Sequence, residues 1–316
     1  MEHSSCPAAQ GRASGPENLY AVANVWIDTD IGDDIDDVVA LLVAARHRNL
    51  RLVGVSTVYG PVVGRAWLAA ELLSRLGCSP PVIPGAIQPL KGHEPRREAG
   101  SYLRLVPPDI FACPTGDDAT MVSLIAKAML ALQEPFHLVT IGATTNAARL
   151  IRDHPEVAGR WLSVTCMAGR LEGKPEYNVW CDHGAARIVL QQVNPRLVGL
   201  EASSETLPQA EVEALLSPAD PAEAFLLDCY RAYRGERERA PLTLFDPITV
   251  LSVLCPEAFN FQSLRVLVEC EGRLRLTDDG AEVRYALSSD WPRLRPRIVR
   301  QLEKRKRQVA PRPAAA

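Results

Sequence analysis

The 316-residue sequence predicts an α/β fold, with a mostly parallel open sheet and helices on both faces. Short apolar runs rich in β-formers alternate with segments that have the apolar spacing of helices. Hydrophobic residues make up 47% of the chain, which is enough for one large domain. An acidic motif directly follows the first apolar run, at the strand end where open parallel sheets bind ligands.

The order of these segments defines the predicted elements. The strands are expected at residues 21–29, 50–58, 82–83, 135–141, 162–167, 198–200 and 264–270. The helices are expected at residues 36–47, 65–76, 119–132, 146–153, 184–192 and 248–254. Gly77 suits the position after a helix C-cap, and Pro155 stops the fourth helix.

The chain shows neither an internal repeat nor a long linker, so we expect a single domain over residues 19–303. Residues 1–18 are polar and rich in Ser, Gly and Pro, and residues 304–316 form a basic end. We predict that both tails are disordered.

Composition limits the classes of partner. A formal net charge of -3 gives no global attraction to nucleic acid or anionic membranes. Eight cysteines without a C-x-x-C pair favour neither a zinc site nor a disulfide framework. Without an apolar signal core or a membrane-length apolar stretch, a cytoplasmic location is the expectation. We expect a small-molecule partner, no nucleic acid, no membrane, and a homo-oligomer of unspecified size.

Six aspartates lie in the ten residues from Asp28 to Asp37. Carboxylates at this density repel one another, and Ca²⁺ relieves such repulsion through about six to eight oxygen ligands. Asp28 and Asp30 are two residues apart, so at a strand end they point to the same side. Helix capping explains one or two acids, such as Asp36 or Asp37. Six acids favour a metal-centred active site.

Three later segments fall near the same predicted edge. The turn at residues 140–146 contains Gly142, but on its own it is explained by a capped helix start. Glu176 and Asn178 could bind vicinal hydroxyls, although a solvated loop is the commoner explanation for a single pair of this kind. Asp246 could be an N-cap or a late metal ligand, and in isolation both interpretations stay open.

Together, these segments resemble the inosine-uridine nucleoside hydrolase family over about residues 25–290. The most specific match is Asp-Thr-Asp-x-Gly followed by Asp-Asp, which begins at Asp28. The other matches are Ile141–Asn146, Met167–Gly169, Glu176–Asn178 with Asp182–Ala186, and Pro81–Leu90. The chain is therefore identified as a divergent member.

The resemblance implies a Ca²⁺-dependent hydrolase of the N-glycosidic bond of ribonucleosides or related ribosides. It implies Ca²⁺ ligands at Asp30, Asp37, Asp246 and the main-chain carbonyl of Ile141. Asp30 would also be the general base for the attacking water, with Asp28 behind it. The implied substrate-binding residues are Asp36, Met167, Glu176, Asn178 and Phe245.

Three features depart from the family pattern. The acidic motif is two residues longer than the shortest family form, so Asp34 and Asp36 compete for one role. We prefer Asp36 because it keeps the register of the following helix, and Asp33 and Asp34 are left without a firm role. Pro61 replaces the usual Asn and removes a side-chain hydrogen bond. Phe245 replaces a frequent His; it cannot donate a proton but could stack on a base.

Two other functions fit parts of the pattern. A non-catalytic relative that binds Ca²⁺ and a nucleoside or ribose is suggested by Pro61 and Phe245. A Mg²⁺-dependent phosphatase of the haloacid dehalogenase type would use Asp28 and Asp30, but it leaves Glu176 and Asn178 unexplained. Ribose release, tight binding without hydrolysis, and phosphate release would distinguish the three functions.

Overall fold

The computed structural model describes residues 22–95, 102–111, 116–235 and 241–303. The predicted tails at 1–18 and 304–316 lie outside these ranges. The strands described are β1 (Ala23–Thr29), β2 (Leu50–Thr57), β3 (Val82–Pro84), β4 (Phe136–Thr140), β5 (Trp161–Met167), β6 (Arg196–Val198), β7 (Thr206–Leu207), β8 (Leu242–Thr243), β9 (Phe259–Val268), β10 (Leu274–Leu276) and β11 (Ala281–Ser289).

Helices connect most of these strands. They are α1 (Asp36–Arg46), α2 (Val62–Arg75), α3 (Pro108–Phe111), α4 (Asp118–Ala131), α5 (Thr145–Asp153), α6 (Pro155–Ala158), α7 (Tyr177–Cys181), α8 (His183–Val193), α9 (Leu200–Ser203), α10 (Gln209–Leu215), α11 (Pro221–Arg234), α12 (Phe245–Leu251) and α13 (Trp291–Leu302). None of the helices in the described ranges combines the length and apolarity that a membrane span requires.

One nine-stranded sheet organises the molecule, in the order β10-β9-β11-β6-β5-β4-β1-β2-β3. The pairs from β11 to β3 are parallel, whereas β9 pairs antiparallel with both β10 and β11. Consecutive residues of β1 point to opposite faces: Val25 and Ile27 enter one apolar cluster, and Trp26 enters another. The predicted mostly parallel α/β sheet with helices on both faces is confirmed.

The differences from the predicted elements lie mainly in the C-terminal half. The expected strand at 198–200 ends at Val198, and the one at 264–270 begins earlier, at Phe259. Strands β10 and β11 were not predicted. Strand β11 alternates between buried and exposed residues, so its sequence lacks the continuous apolar run of a parallel strand. Helices α10 and α11 were not predicted either.

The pairing register of β1 and β2 determines which residue lies beside Asp28. Val25 pairs with Leu52 but Trp26 pairs with Gly54, so β2 carries one extra residue at Val53. Gly54 is required there, because a Cβ at this position would lie 2.2 Å from the Trp26 ring. Beyond the bulge, Asp28 is paired with Ser56.

Helix α1 follows the acidic motif and is buried from Asp36 to Ala44. Its apolar residues extend around the whole helix, as expected for a helix covered on all sides. Helices α12 and α13 pack against it. The carboxylates of Asp36 and Asp37, in its first turn, are therefore buried in the protein.

Candidate functional site

A cavity of about 680 Å³ opens where β1, β4 and β5 end. The chain reaches this edge from several elements, because the carboxyl ends of neighbouring parallel strands meet there. The nine site residues predicted from the sequence all line this cavity: Asp30, Asp36, Asp37, Ile141, Met167, Glu176, Asn178, Phe245 and Asp246.

Three carboxylates form the densest part of the cavity. Asp36 and Asp37 begin α1, and Asp246 lies in the first turn of α12. Each offers an oxygen within 4.8 Å of the others, and all three residues are buried. Burial, followed by repulsion from neighbouring aspartates, raises the pKa of each carboxyl well above its ordinary value. The cluster therefore favours binding of either protons or a cation.

The donor set fits a hard divalent cation. Ca²⁺–oxygen distances are about 2.3–2.6 Å, so two oxygens on opposite sides of one ion lie about 5 Å apart. The separation of up to 4.8 Å among the three carboxylate oxygens is compatible with a single ion. The aspartate cluster could thus bind a metal, and Asp36 joins Asp37 and Asp246 in it.

Asp30 lies beside this cluster. Burial raises the pKa of Asp30 to about 7, and the Arg65 charge opposes this rise. Gly142 permits its position, because a Cβ there would lie 2.8 Å from Asp30 Oδ1. A carboxyl with this pKa in a cavity can exchange a proton near neutral pH, as a general base must.

Asp28 supports the site from behind. Its Oδ1 accepts hydrogen bonds from Ser56 Oγ and from Asn146 Nδ2, the latter at 2.8 Å. Burial raises its pKa to about 7 despite both bonds. In the described part of the chain, its Oδ2 is buried without a hydrogen-bond partner. The main-chain carbonyl of Asp28 accepts from Ile141 N at 2.8 Å, which joins the ends of β1 and β4.

Asn178 brings two strand ends together. Its Nδ2 donates to the carbonyl oxygen of Ile141 at 3.1 Å and to that of Met167 at 3.0 Å. Because a carbonyl oxygen has two lone pairs, Ile141 retains acceptor capacity for a further partner. The amide thus fixes both carbonyls at the cavity wall.

Glu176 is held by main-chain amides. It is the N-cap of α7, where its carboxylate accepts from Asn178 N at 2.6 Å and Val179 N at 3.1 Å. Gly169 N also donates to it, at 3.1 Å. Burial raises the pKa of Glu176, and the amide hydrogen bonds oppose that rise. The carboxylate is fixed in orientation before any ligand arrives.

Aromatic side chains form part of the cavity wall. Phe245 and Tyr177 line the cavity, and Tyr177 is 42% exposed. Tyr177 stacks on Trp180, which stacks in turn on His93 with ring centroids 3.7 Å apart. Pro61 also lines the cavity, at the N-cap of α2. These surfaces suit a planar ligand group.

The structure assigns partners to the two aspartates that sequence left unassigned. Asp33 forms an ion pair with Arg65 at 2.7 Å. Asp34 Oδ1 accepts from Thr243 Oγ1 at 3.0 Å, and its carbonyl accepts from Tyr102 Oη at 2.6 Å. The two extra residues of the motif therefore hold the turn that follows β1.

Arg65 is the main site residue missed by sequence reasoning. It lies in α2, is 2% exposed, and lines the cavity beside the acidic cluster. The one feature of the sequence that marks it is that Arg65 is the single cationic residue in the mainly apolar segment from Val62 to Leu73. Arg170 and Lys174, from the loop after β5, also line the cavity and were not predicted.

Asp182 belongs to the matched motif but serves the framework. Its buried carboxylate accepts hydrogen bonds from Leu90 N, Lys91 N, Thr145 Oγ1 and Ala185 N. These bonds join the loop after β3 to the starts of α5 and α8. The residue thus positions the cavity wall without lining the cavity.

Comparison with known proteins agrees with this geometry. Two similar proteins are the pyrimidine-specific ribonucleoside hydrolases RihA of Klebsiella pneumoniae and Salmonella typhimurium, with 30% and 29% identity over 272 and 273 residues. Each match covers 79% of this chain and 85% of the relative. A solved inosine-guanosine nucleoside hydrolase shares the fold, with a TM-score of 0.73 and 20% identity over 89% of this chain and 98% of its own.

The family model described as inosine-uridine preferring nucleoside hydrolase matches residues 25–301, from β1 into α13. The match includes each residue described above as lining the cavity. The chain therefore belongs to the inosine-uridine preferring nucleoside hydrolase family.

Proposed function

We propose that the protein is a Ca²⁺-dependent hydrolase that cleaves the N-glycosidic bond of ribonucleosides or related ribosides. The observation that carries this proposal is the buried oxygen cluster of Asp36, Asp37 and Asp246 beside Asp30, in a member of a nucleoside hydrolase family. Family membership favours this function over the phosphatase alternative.

The proposed Ca²⁺ ligands are the carboxylates of Asp30, Asp37 and Asp246 and the carbonyl oxygen of Ile141. The burial and oxygen chemistry of these groups support the choice of a hard cation. Asp36 lies in the same oxygen cluster, which supports a place for it between the ion and the ribose. When bound, the ion supplies positive charge that offsets carboxylate repulsion and eases deprotonation of water.

The proposed reaction breaks the bond between C1′ and the base nitrogen, while a water oxygen bonds to C1′. Asp30 accepts the water proton on its carboxylate. Positive charge develops on the ribose in the transition state, and the surrounding carboxylates stabilise it. The departing base takes up a proton, and Phe245 has none to donate.

The remaining residues are proposed to orient the substrate. Glu176 and Asn178 would hold ribose hydroxyls, because both are buried at the cavity wall and held by hydrogen bonds. Met167 would contact the sugar, and Phe245 would stack on the base. The curated relatives are named as pyrimidine-specific and the solved neighbour as acting on inosine and guanosine, so both base classes belong in the test.

The test is ribose release from a panel of purine and pyrimidine nucleosides, with chelator-treated and Ca²⁺-reloaded protein. We expect ribose only with Ca²⁺, and a loss of about 10²- to 10⁴-fold in kcat for Asp30→Asn. Asp228→Asn is the control, because Asp228 is exposed on α11 and should leave kcat unchanged. Ca²⁺ and nucleoside binding without cleavage would select the non-catalytic alternative, and absence of Ca²⁺ binding would refute the metal assignment.

A cytoplasmic location and assembly into a homo-oligomer are also proposed. The described cysteines are free thiols, which supports a reducing compartment. Analytical ultracentrifugation of the purified chain tests the oligomeric state.

A further inference from the structure

Arg65 is a buried cation at the edge of the acidic cavity. Its Nε donates to the carbonyl oxygen of Tyr59 at 2.9 Å, and its Nη1 donates to the carbonyls of Ile31, at 3.0 Å, and Asp30. Its Nη2 pairs with Asp33 at 2.7 Å. One guanidinium therefore contacts the turn after β1 at three residues and the turn after β2 at one.

Both turns contain residues with positive φ angles. Tyr59 has a φ of 66°, which is rare for a residue with a side chain, and Gly32 and Gly60 have φ values of 129° and 79°. Such conformations persist when surrounding contacts fix them. Arg65 supplies such contacts to the peptide that carries Asp30.

The guanidinium is suited to this task. Its rigid fork of donors satisfies several acceptors at once, which the single ammonium of a lysine cannot reproduce. The side chain is 2% exposed, so its position is fixed by these partners and not by solvent. Its charge would by itself oppose a divalent cation, because like charges repel. If Arg65 holds the turn in place, removing its guanidinium should weaken metal binding. If Arg65 acted only through its charge, removing it should strengthen metal binding.

We propose that Arg65 is a positioning residue that clamps the turn from Asp30 to Asp33, so that the Asp30 carboxylate is placed for both the metal ion and the attacking water. This inference rests on the metal site of the proposed function. Arg65 acts through main-chain carbonyls and the Asp33 carboxylate, and it needs no contact with the substrate.

The experiment compares wild type with Arg65→Met, Arg65→Lys and the control Arg75→Met. Arg75 lies on the same helix, but it is a partly exposed partner of Glu71. For each full-length protein, Ca²⁺ affinity is measured by titration calorimetry, and thermal unfolding is followed with Ca²⁺ and with chelator. Ribose release then gives kcat and KM.

We expect Arg65→Met to weaken Ca²⁺ binding by about 10- to 100-fold, as the loss of a residue that orients metal ligands does. The rise in unfolding temperature on adding Ca²⁺ should shrink accordingly, since that rise follows from ligand affinity. The kcat should fall more than KM changes. Arg65→Lys keeps the charge but loses the fork, so it should also weaken Ca²⁺ binding, whereas Arg75→Met should match wild type.

Equal destabilisation of Arg65→Met with and without Ca²⁺, at unchanged Ca²⁺ affinity, would overturn the positioning role in favour of simple packing. Tighter Ca²⁺ binding by Arg65→Met would overturn it in favour of a charge effect alone. If Arg65→Met does not fold, wild-type affinity in Arg65→Lys overturns the clamp and weakened affinity supports it. A wild-type protein that neither binds Ca²⁺ nor releases ribose would refute both proposals, whereas unaffected Arg65 variants of an active enzyme refute only this one.

Discussion

Gly142→Ala tests whether the position of Asp30 controls the reaction. Gly142 follows β4 and approaches Asp30 so closely that a Cβ would lie 2.8 Å from its Oδ1 and 2.9 Å from its main-chain nitrogen. Non-bonded contacts to carbon are ordinarily about 3.5–4.0 Å long. The added methyl group must therefore push the Asp30 carboxylate, or the turn that carries it, by roughly 0.7 Å.

The size of the effect follows from this displacement. A misplacement of about 1 Å at a reacting group costs about 10²-fold in rate. We therefore expect kcat to fall by about 10- to 100-fold, which corresponds to about 1.4–2.7 kcal/mol of transition-state stabilisation. The free energy of unfolding should fall by about 1–3 kcal/mol, as is usual for an overpacked interior.

The assay is ribose release at saturating nucleoside and Ca²⁺, together with urea unfolding of the same preparations. Gly159→Ala is the matched control, because Gly159 has a φ of -65° and a Cβ there would meet Glu156 O only at 3.5 Å. A Gly142→Ala enzyme with kcat within twofold of wild type would refute the reasoning. Loss of kcat in Gly159→Ala as well would show that the effect is not local.

Three further changes test other parts of the site. Asp246→Asn removes one charged oxygen from the cluster, so the rise in unfolding temperature on adding Ca²⁺ should shrink in a comparison with chelator-treated protein. Burial raises the folded-state pKa of Asp28 to about 7 from 3.8, so in metal-free protein its contribution to stability is present below about pH 4 and lost as pH rises through about 7. Thermal unfolding of wild type and Asp28→Asn between pH 4 and 8 measures this loss. Asp182→Ala leaves four donors without their acceptor and should lower the free energy of urea unfolding by about 3 kcal/mol or more.

Each of these expectations has a contrary result. An unchanged Ca²⁺ response in Asp246→Asn would remove that residue from the ligand set. If the stability of metal-free wild type instead rises with pH relative to that of Asp28→Asn, the predicted direction of the Asp28 effect is wrong. A urea midpoint for Asp182→Ala equal to that of wild type would show that its four hydrogen bonds are replaced by water.

The fold was predictable where local pattern and tertiary environment agree. Continuous apolar runs such as β1 are typical of strands buried on both faces, and the structure confirms them. Strand β11 pairs parallel with β6 on one side and antiparallel with β9 on the other, and it is partly exposed, so apolarity alone does not identify it. Helix α11 had usable signals, since Asp220 caps its first turn and Pro221 occupies its first position.

The convergence of the predicted site residues was accessible from sequence because parallel strand ends meet at one edge. The partners of Arg65 were not accessible in that way. Three of its four hydrogen-bond acceptors are main-chain carbonyls, which every residue has, so no residue type in the sequence marks them. Asp33 gains its role only through this same guanidinium.

The extra residue in β2 makes the site sensitive to the register of a strand that does not line the cavity. Side chains alternate along a strand, so a ladder that paired Val53 with Trp26 would place Val55 opposite Asp28 and turn Ser56 to the opposite face. Asp28 would then lose a donor although every residue of the cavity wall was unchanged. A slip of one residue in β2, far from the opening, would thus weaken the support of the site while the sheet stays paired.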